Sequence, residues 1–554
     1  MIRRAARAGV IGLTATTLSC TVGPGVRTEE ATQRVEDTTP PVATTEPAAP
    51  STLEWSACPD LHDGLSMQWE CTTVGTPLDH ADPAGEQITV ALTRPLLEPG
   101  DDRLPLVMNP GGPGASGIEL AWYLVDLLPA ELLDTFYPVG WDPRGVGRSE
   151  PAIDCGPFDP IDVPDADECL ARSGALLAQV GAADSALDLE SVRTALGRDR
   201  LDYLGFSYGT ALGAVYAMTY PERVGRFVLD GAIDPTAGDP AGELAADGVP
   251  DYAGDEVDAV IERFHELCDA TALCAAGPDS ATLVDDLEGT IRELTTADFP
   301  GGPSRMNRVD LEDVMIGITY DPWSWGLVGD ALRDAADGDA STLAALASYL
   351  LQGYPVEDGP GDDVPLVDFG AAHFAIYCAD FSHIEGVWGC GGMPEADPLP
   401  VIRTVDVAEP MVVIGTAHDP ATPGRHADEL AAALGDAVAI TWEGVGHTAF
   451  PVTECLDGAV VDYLVDGIVP DGALACPFVD AMTTDGEIGD YLFDYQSWWV
   501  RPWLEDVFVT EGVADAQCLA RELTDADHRV LTHLLLGVQS AAADEARAEA
   551  EARC

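Results

Sequence analysis

The chain has no lysine. All 27 of its basic residues are arginine, set against 96 Asp and Glu, for a formal net charge of −69 over 554 residues. A surface so poor in positive charge repels a phosphate backbone, which excludes nucleic acid as a partner. Two origins of the acid excess stay open: a GC-rich genome, which favours Ala, Gly, Arg and Asp codons, or life in high salt, where screening relieves self-repulsion. The 13 cysteines show no Cys-x-x-Cys spacing of the metal-binding kind and no accompanying His cluster, so neither a metal nor another cofactor is expected. We find no internal repeats. Apolar content of 46% and aromatic content of 7% fit a globular protein large enough for several domains.

The N-terminus reads as an export signal. Arg3, Arg4 and Arg7 form a positive patch, and Ala8 to Leu18 is apolar but too short to span a bilayer. It ends at Thr17-Leu18-Ser19-Cys20, which resembles a bacterial lipobox with Cys20 as the lipidated residue. The alternative is an ordinary cleaved signal peptide on a secreted protein. Residues 21–53 are rich in Thr, Pro, Ala and Glu and poor in large apolar residues, as expected of a disordered tether beside a lipid anchor on the outer face of the cytoplasmic membrane. With Cys20 set aside, 12 cysteines remain, in six sequence-local couples. Neighbour pairing predicts Cys58–Cys71, Cys155–Cys169, Cys268–Cys274, Cys378–Cys390, Cys455–Cys476 and Cys518–Cys554.

Short apolar runs at Ile88–Arg94, Leu104–Met108, Tyr137–Trp141, Leu201–Leu204, Arg226–Asp230, Met411–Ile414 and Ala437–Ile440 read as strands. Several alternate with helical patterns, which argues for a parallel sheet covered on both faces. Residues 235–405 lose that rhythm and read as mainly helical, with helices expected at Val257–Cys268, Leu283–Leu294, Leu311–Ile318, Gly329–Ala336 and Thr342–Leu351. In the C-terminal stretch, Trp498, Trp499 and Trp503 cluster, and Ala541–Arg553 reads as a helix.

The strongest chemical signal is Gly205-Phe-Ser207-Tyr208-Gly209. It follows a buried strand and precedes the small-residue run Ala211–Ala217, the strand–turn–helix context of a nucleophile elbow. A serine hydroxyl is a weak nucleophile until a base takes its proton. In such folds the partners follow in the order Ser, acid, His. Asp419 stands on the loop after the run 411–414, and His447 follows the run 437–440 in Gly444-Val-Gly446-His447-Thr448. His418 is a rival base, but it lies beside the acid rather than after the last strand. The oxyanion of a tetrahedral intermediate needs two donors. The N–H of Tyr208 and the N–H of Gly112, in the loop Asn109-Pro-Gly111-Gly112-Pro113-Gly114, are the candidates.

Those segments, together with Asp142-Pro-Arg144-Gly145, Val228-Leu-Asp-Gly-Ala-Ile-Asp-Pro235, Ala375-Ile-Tyr-Cys-Ala-Asp380, Asp419-Pro-Ala-Thr-Pro423 and the module from Cys455 to Cys476, resemble the secreted actinobacterial tripeptidyl aminopeptidases, relatives of proline iminopeptidase. The resemblance implies an α/β-hydrolase fold, with a mostly parallel central sheet and an inserted, mainly helical cap domain. It implies a triad of Ser207, Asp419 and His447, and release of short peptides from free N-termini, with the substrate amine anchored by the cap. The organisation expected is a signal peptide (1–19), a lipid-anchored linker (20–53), hydrolase core (54–234 and 406–478) interrupted by a helical cap (235–405), and a C-terminal extension (479–554). A monomer acting on peptides is expected. An esterase or lipase using the same triad, or a non-catalytic binding protein on the same scaffold, are the rival functions.

Overall fold

A computed structural model describes residues 53–554, apart from 60–64, 66, 157–163, 237–253, 289–310, 353–368 and 383–389, and scattered positions at 312–321 and 473–539. The signal, Cys20 and nearly all of the linker lie outside the described residues, as do Trp498, Trp499 and Trp503.

The frame is a ten-stranded sheet: β1 (Ser56–Ala57), β2 (Trp69–Pro77), β3 (Gln87–Pro95), β4 (Leu104–Asn109), β5 (Phe136–Asp142), β6 (Leu201–Phe206), β7 (Val224–Asp230), β8 (Met411–His418), β9 (Ala437–Val445) and β10 (Ala475–Pro477). Its spatial order is β1-β2-β3-β5-β4-β6-β7-β8-β9-β10. The pairs β1–β2, β2–β3 and β3–β5 are antiparallel, and all later pairs are parallel.

The central strands read as unbroken apolar runs because both faces are buried. Successive side chains point to opposite faces. Thus Leu204 and Phe206 join one core with Met108, Val228 and Ile414. Tyr203, Val107, Phe227, Leu229 and Val413 join the other. The helix Ala182–Ala195 packs in the second core through Leu189 and Val192.

Between β7 and β8 the chain forms helices Gly254–Ala270, Ser280–Glu288, Trp325–Ala336, Ser341–Gln352 and Phe369–Phe381. Four cover spans anticipated from periodicity. Leu283–Leu294 is described only to Glu288, and most of Leu311–Ile318 lies outside the described residues. Phe369–Phe381 escaped the periodicity reading because it is apolar nearly all round. Its Ala371, Ala372, Ala375, Ile376 and Cys378 are all buried, so no polar face marks its period.

The end of the chain docks on this helical layer. Leu519, Leu523 and Leu531 share the first core with Phe264, Trp325 and Leu332. A polar seam runs along the helix Trp325–Ala336. Arg529 pairs with Asp334, His533 Nε2 lies 2.7 Å from Asp334 Oδ2, and Thr532 donates to Asp330 Oδ2 at 2.7 Å.

The disulfides are Cys58–Cys71, Cys155–Cys169, Cys268–Cys274, Cys378–Cys390, Cys455–Cys476 and Cys518–Cys554. Six disulfides are the covalent pattern of an exported protein. Among the described residues no helix is long and apolar enough to cross a membrane, and no group of His, Cys, Asp and Glu is arranged to hold a metal ion.

Candidate active site

Register sets the carboxyl ends of β6 and β7 beside β8 and β9, which run on together to His418 and Val445. Phe206 pairs with Asp230, Asp230 with Ile414 and Ile414 with Ile440. On the other side of β6, Gly205 pairs with Asn109. The loops after β4, β6, β7, β8 and β9 therefore leave the sheet side by side. This is the carboxyl edge, where open α/β sheets place their ligands.

Ser207 sits on the sharp turn between β6 and the helix Tyr208–Thr219, at φ 53° and ψ −126°. A non-glycine residue there is strained, and the surroundings hold it. The Ser207 N–H donates to the Asp230 carbonyl at 2.8 Å, and the Ser207 carbonyl accepts from Thr210 N at 2.8 Å and Thr210 Oγ1 at 2.7 Å. Gly209 has no room for a side chain: a β-carbon would stand 2.9 Å from the Asn109 carbonyl oxygen. That closeness sets the β4 loop against the turn.

In the β4 loop Gly111 adopts φ 87° and Gly112 φ 108°. A β-carbon on Gly111 would lie 2.7 Å from Tyr208 N and closer still to the Phe206 carbonyl. The Gly111 N–H is engaged with Asn109 Oδ1 at 2.9 Å, and Gly112 is the next residue of the loop. The loop is braced on two sides. Buried Asp142 accepts from Ser116 Oγ at 2.6 Å and Ile118 N at 3.1 Å. From the helix Phe369–Phe381, His373 Nδ1 lies 3.0 Å from the Pro113 carbonyl. The same helix reaches the turn itself, since Asp380 accepts from the Tyr208 hydroxyl and, at 3.0 Å, from Ala182 N. Burial pushes the Asp380 carboxyl up to about 7.

Asp419 and His447 are joined. His447 Nδ1 lies 3.0 Å from each Asp419 oxygen. Asp419 is fully buried and also accepts from Ala421 N at 2.9 Å, Thr422 N at 2.8 Å, Thr422 Oγ1 at 2.9 Å and Thr448 N at 3.3 Å. Burial disfavours the His447 imidazolium. The charge and hydrogen bond of Asp419, with a further contribution from Asp230, outweigh it and raise the His447 pKa above the usual histidine value. The His447 N–H donates to the Tyr320 carbonyl at 3.1 Å, and the two rings meet edge to face at 5.8 Å. A β-carbon on Gly231, which follows the residue that accepts the Ser207 N–H, would lie 3.4 Å from His447 Cε1. The imidazole thus stands beside the serine turn. His418 instead points to Glu256 Oε2 at 3.5 Å and is about half exposed, with 46% of its side-chain surface open.

The Asp142-Pro-Arg144-Gly145 motif, to which no role was attached from sequence, proves to be a buried anchor. Arg144 Nε and Nη2 meet Asp188 at 2.7 and 2.6 Å, and Nη1 donates to the carbonyls of Leu78 and Gln179 at 2.8 and 2.9 Å. Thr422, Asp230 and Asp380 likewise went unassigned. The signal for Asp230 and Asp142 is an acidic residue closing an apolar strand, where it has nowhere to go but inward.

The chain matches the α/β hydrolase fold model over residues 105–306 and the TAP-like protein model over residues 377–476. It is 30% identical over 499 residues to serine protease Hip1 of Mycobacterium tuberculosis, covering 78% of this chain and 92% of that protein. The chain belongs to the TAP-like α/β hydrolases. As a member of that family it is a serine hydrolase. Carboxylesterase B of M. tuberculosis is 31% identical over 482 residues, covering 76% of this chain and 89% of its own. The tripeptidyl aminopeptidase of Streptomyces lividans is 34% identical over 215 residues, 34% of this chain and 40% of that one. Among solved structures, proline iminopeptidase of Mycobacterium smegmatis matches with a TM-score of 0.31 and 15% identity, over 71% of this chain and 98% of that one.

Proposed function

We propose that this TAP-like hydrolase is an extracytoplasmic serine exopeptidase that releases short peptides, tripeptides among them, from free N-termini. Ser207 attacks the peptide carbonyl, His447 takes its proton and passes it to the leaving amine, and Asp419 holds the imidazole in the productive tautomer. Water then hydrolyses the acyl-enzyme by the same route. The N–H groups of Tyr208 and Gly112 receive the oxyanion. The observation that carries this proposal is the His447–Asp419 pair standing beside a strained serine turn against which a glycine loop is pressed. The names of Hip1 and of the Streptomyces aminopeptidase support a peptidase, whereas the carboxylesterase name supports an esterase with the same machinery. Export is supported by the six disulfides, and an anchor at Cys20 by the lipobox-like Thr17-Leu18-Ser19-Cys20.

A chromogenic panel tests this. Tripeptidyl p-nitroanilides with free N-termini should be the best substrates, and acetylating the N-terminus should cost at least about 10²-fold in kcat/KM, the scale of a lost charged contact. If p-nitrophenyl acyl esters outrun every peptide and acetylation has no effect, the enzyme is a carboxylesterase.

A further inference from the structure

Asp230 occupies the last position of β7 and is fully buried. It touches both halves of the site. Its backbone carbonyl accepts the Ser207 N–H at 2.8 Å. Its carboxylate accepts the N–H of Ala449, at 3.1 and 3.0 Å from the two oxygens, and of Phe450 at 2.7 Å. Ala449 and Phe450 are the second and third residues after His447. The next residue along β7's exit, Gly231, donates its N–H to the Ile414 carbonyl at 3.1 Å, on the strand that carries Asp419. The His447 loop needs such a hold. Thr448 adopts φ 66°, a conformation that costs a β-branched residue dearly, and the turn relaxes unless its neighbours are pinned.

We infer that Asp230 is a positioning residue for catalysis, a second carboxylate that ties the Ser207 turn to the His447 loop and sets the charge behind the imidazole. This rests on the triad proposed above. An ordinary structural acid would need only to satisfy buried N–H groups. Asp230 also lies within electrostatic reach of His447 and Asp419, which it favours and opposes respectively. Burial pushes its carboxyl up to about 7, against the pull of the Ala449 and Phe450 N–H groups and of His447. The groups facing the pair are Asp419 from the β8 loop, Asp230 from β7 and Tyr320 from the segment before the helix Trp325–Ala336, with the His418–Glu256 contact beside Asp419. When Asp230 is ionised its charge favours the imidazolium. When it is neutral that support is gone, so the two titrations are coupled.

The test is Asp230→Asn, whose amide oxygen can still accept the two N–H groups while the charge is removed. The acidic limb of kcat/KM against pH should move down by about 0.5–1 pH unit, with kcat at the plateau reduced about tenfold and KM within about threefold. Ser207→Ala and Asp419→Asn are measured alongside. If Ser207→Ala stays active, the triad proposal has failed. If Ser207→Ala is inactive but the folded Asp230→Asn keeps the wild-type acidic limb, the Asp230 proposal alone is overturned. Should Asp230→Asn not fold, the histidine-labelled wild-type enzyme supplies the answer by NMR. Two inflections in the His447 Cε1 proton shift, one near neutrality, support the coupling, and a single inflection overturns it.

Discussion

Gly111→Ala probes the proposed oxyanion loop without changing any side chain that does chemistry. Two costs follow from the structure. Gly111 adopts φ 87°, and placing an L residue in left-handed backbone costs about 1–2 kcal/mol. The new methyl would also lie 2.7 Å from Tyr208 N, where non-bonded atoms prefer about 3.5 Å. Both neighbours are backbone, so neither can rotate aside, and the loop must retreat by close to 1 Å or roughly the shortfall. Oxyanion donors act at about 2.7–3.1 Å, so that retreat takes the Gly112 N–H out of range. Losing one such donor costs about 2.7–4 kcal/mol of transition-state stabilisation, or 10²–10³ in kcat. Substrate binding uses other surfaces, so KM should change by less than about threefold. Steady-state kinetics on the best p-nitroanilide, with a melting curve to confirm the fold, decides the matter. A folded Gly111→Ala enzyme that keeps more than about half its kcat would refute the assignment of this loop to the oxyanion.

Other consequences are as direct. Asp419→Asn would turn an amide N–H toward His447 Nδ1 and two of the four other donors around Asp419, and kcat should drop about 10⁴-fold with little change in melting temperature; a loss under tenfold would contradict it. Arg144→Met leaves Asp188 buried without its cation and should cost about 3–5 kcal/mol in denaturant unfolding, whereas a change below about 1 kcal/mol would show that the anchor is dispensable. Burial raises Asp380 to about 7, so the native state keeps a proton that the unfolded chain releases near pH 4. Its contribution to stability is complete below about pH 4 and is lost as the pH climbs to about 7, at most about 4 kcal/mol in all. Asp380→Asn should therefore flatten the fall of stability between about pH 4 and 7 by roughly one proton's worth, and an unchanged slope in pH-dependent melting would contradict it.

The site was more legible in the sequence than the fold around it. Ser207, Asp419 and His447 each follow an apolar run, although β6, β8 and β9 extend beyond those runs to Phe206, His418 and Val445. Parallel strands buried on both faces advertise themselves in this way. Strand β2, Trp-Glu-Cys-Thr-Thr-Val-Gly-Thr-Pro, did not, because it lies near the antiparallel edge and mixes buried with half-exposed positions. Strand β10, three residues long, is too short to carry a pattern. The supporting residues were hidden by abundance. Among 96 acidic residues, a place at the end of an apolar strand hints that Asp230 is buried, but nothing local shows that it accepts two backbone N–H groups from the His447 loop. That contact arises only when strands from distant parts of the chain align. The helix Phe369–Phe381, which braces the glycine loop through His373 and the serine turn through Asp380, was concealed by its own burial.

The central claim, that Ser207 is the activated nucleophile, meets its most direct test in covalent labelling. The native enzyme is treated with a fluorophosphonate probe, digested and mapped by mass spectrometry. A single adduct on Ser207, absent from Ser207→Ala and from heat-denatured protein, is the predicted result. A native, folded enzyme that takes no label, or takes it on another residue, would contradict the account.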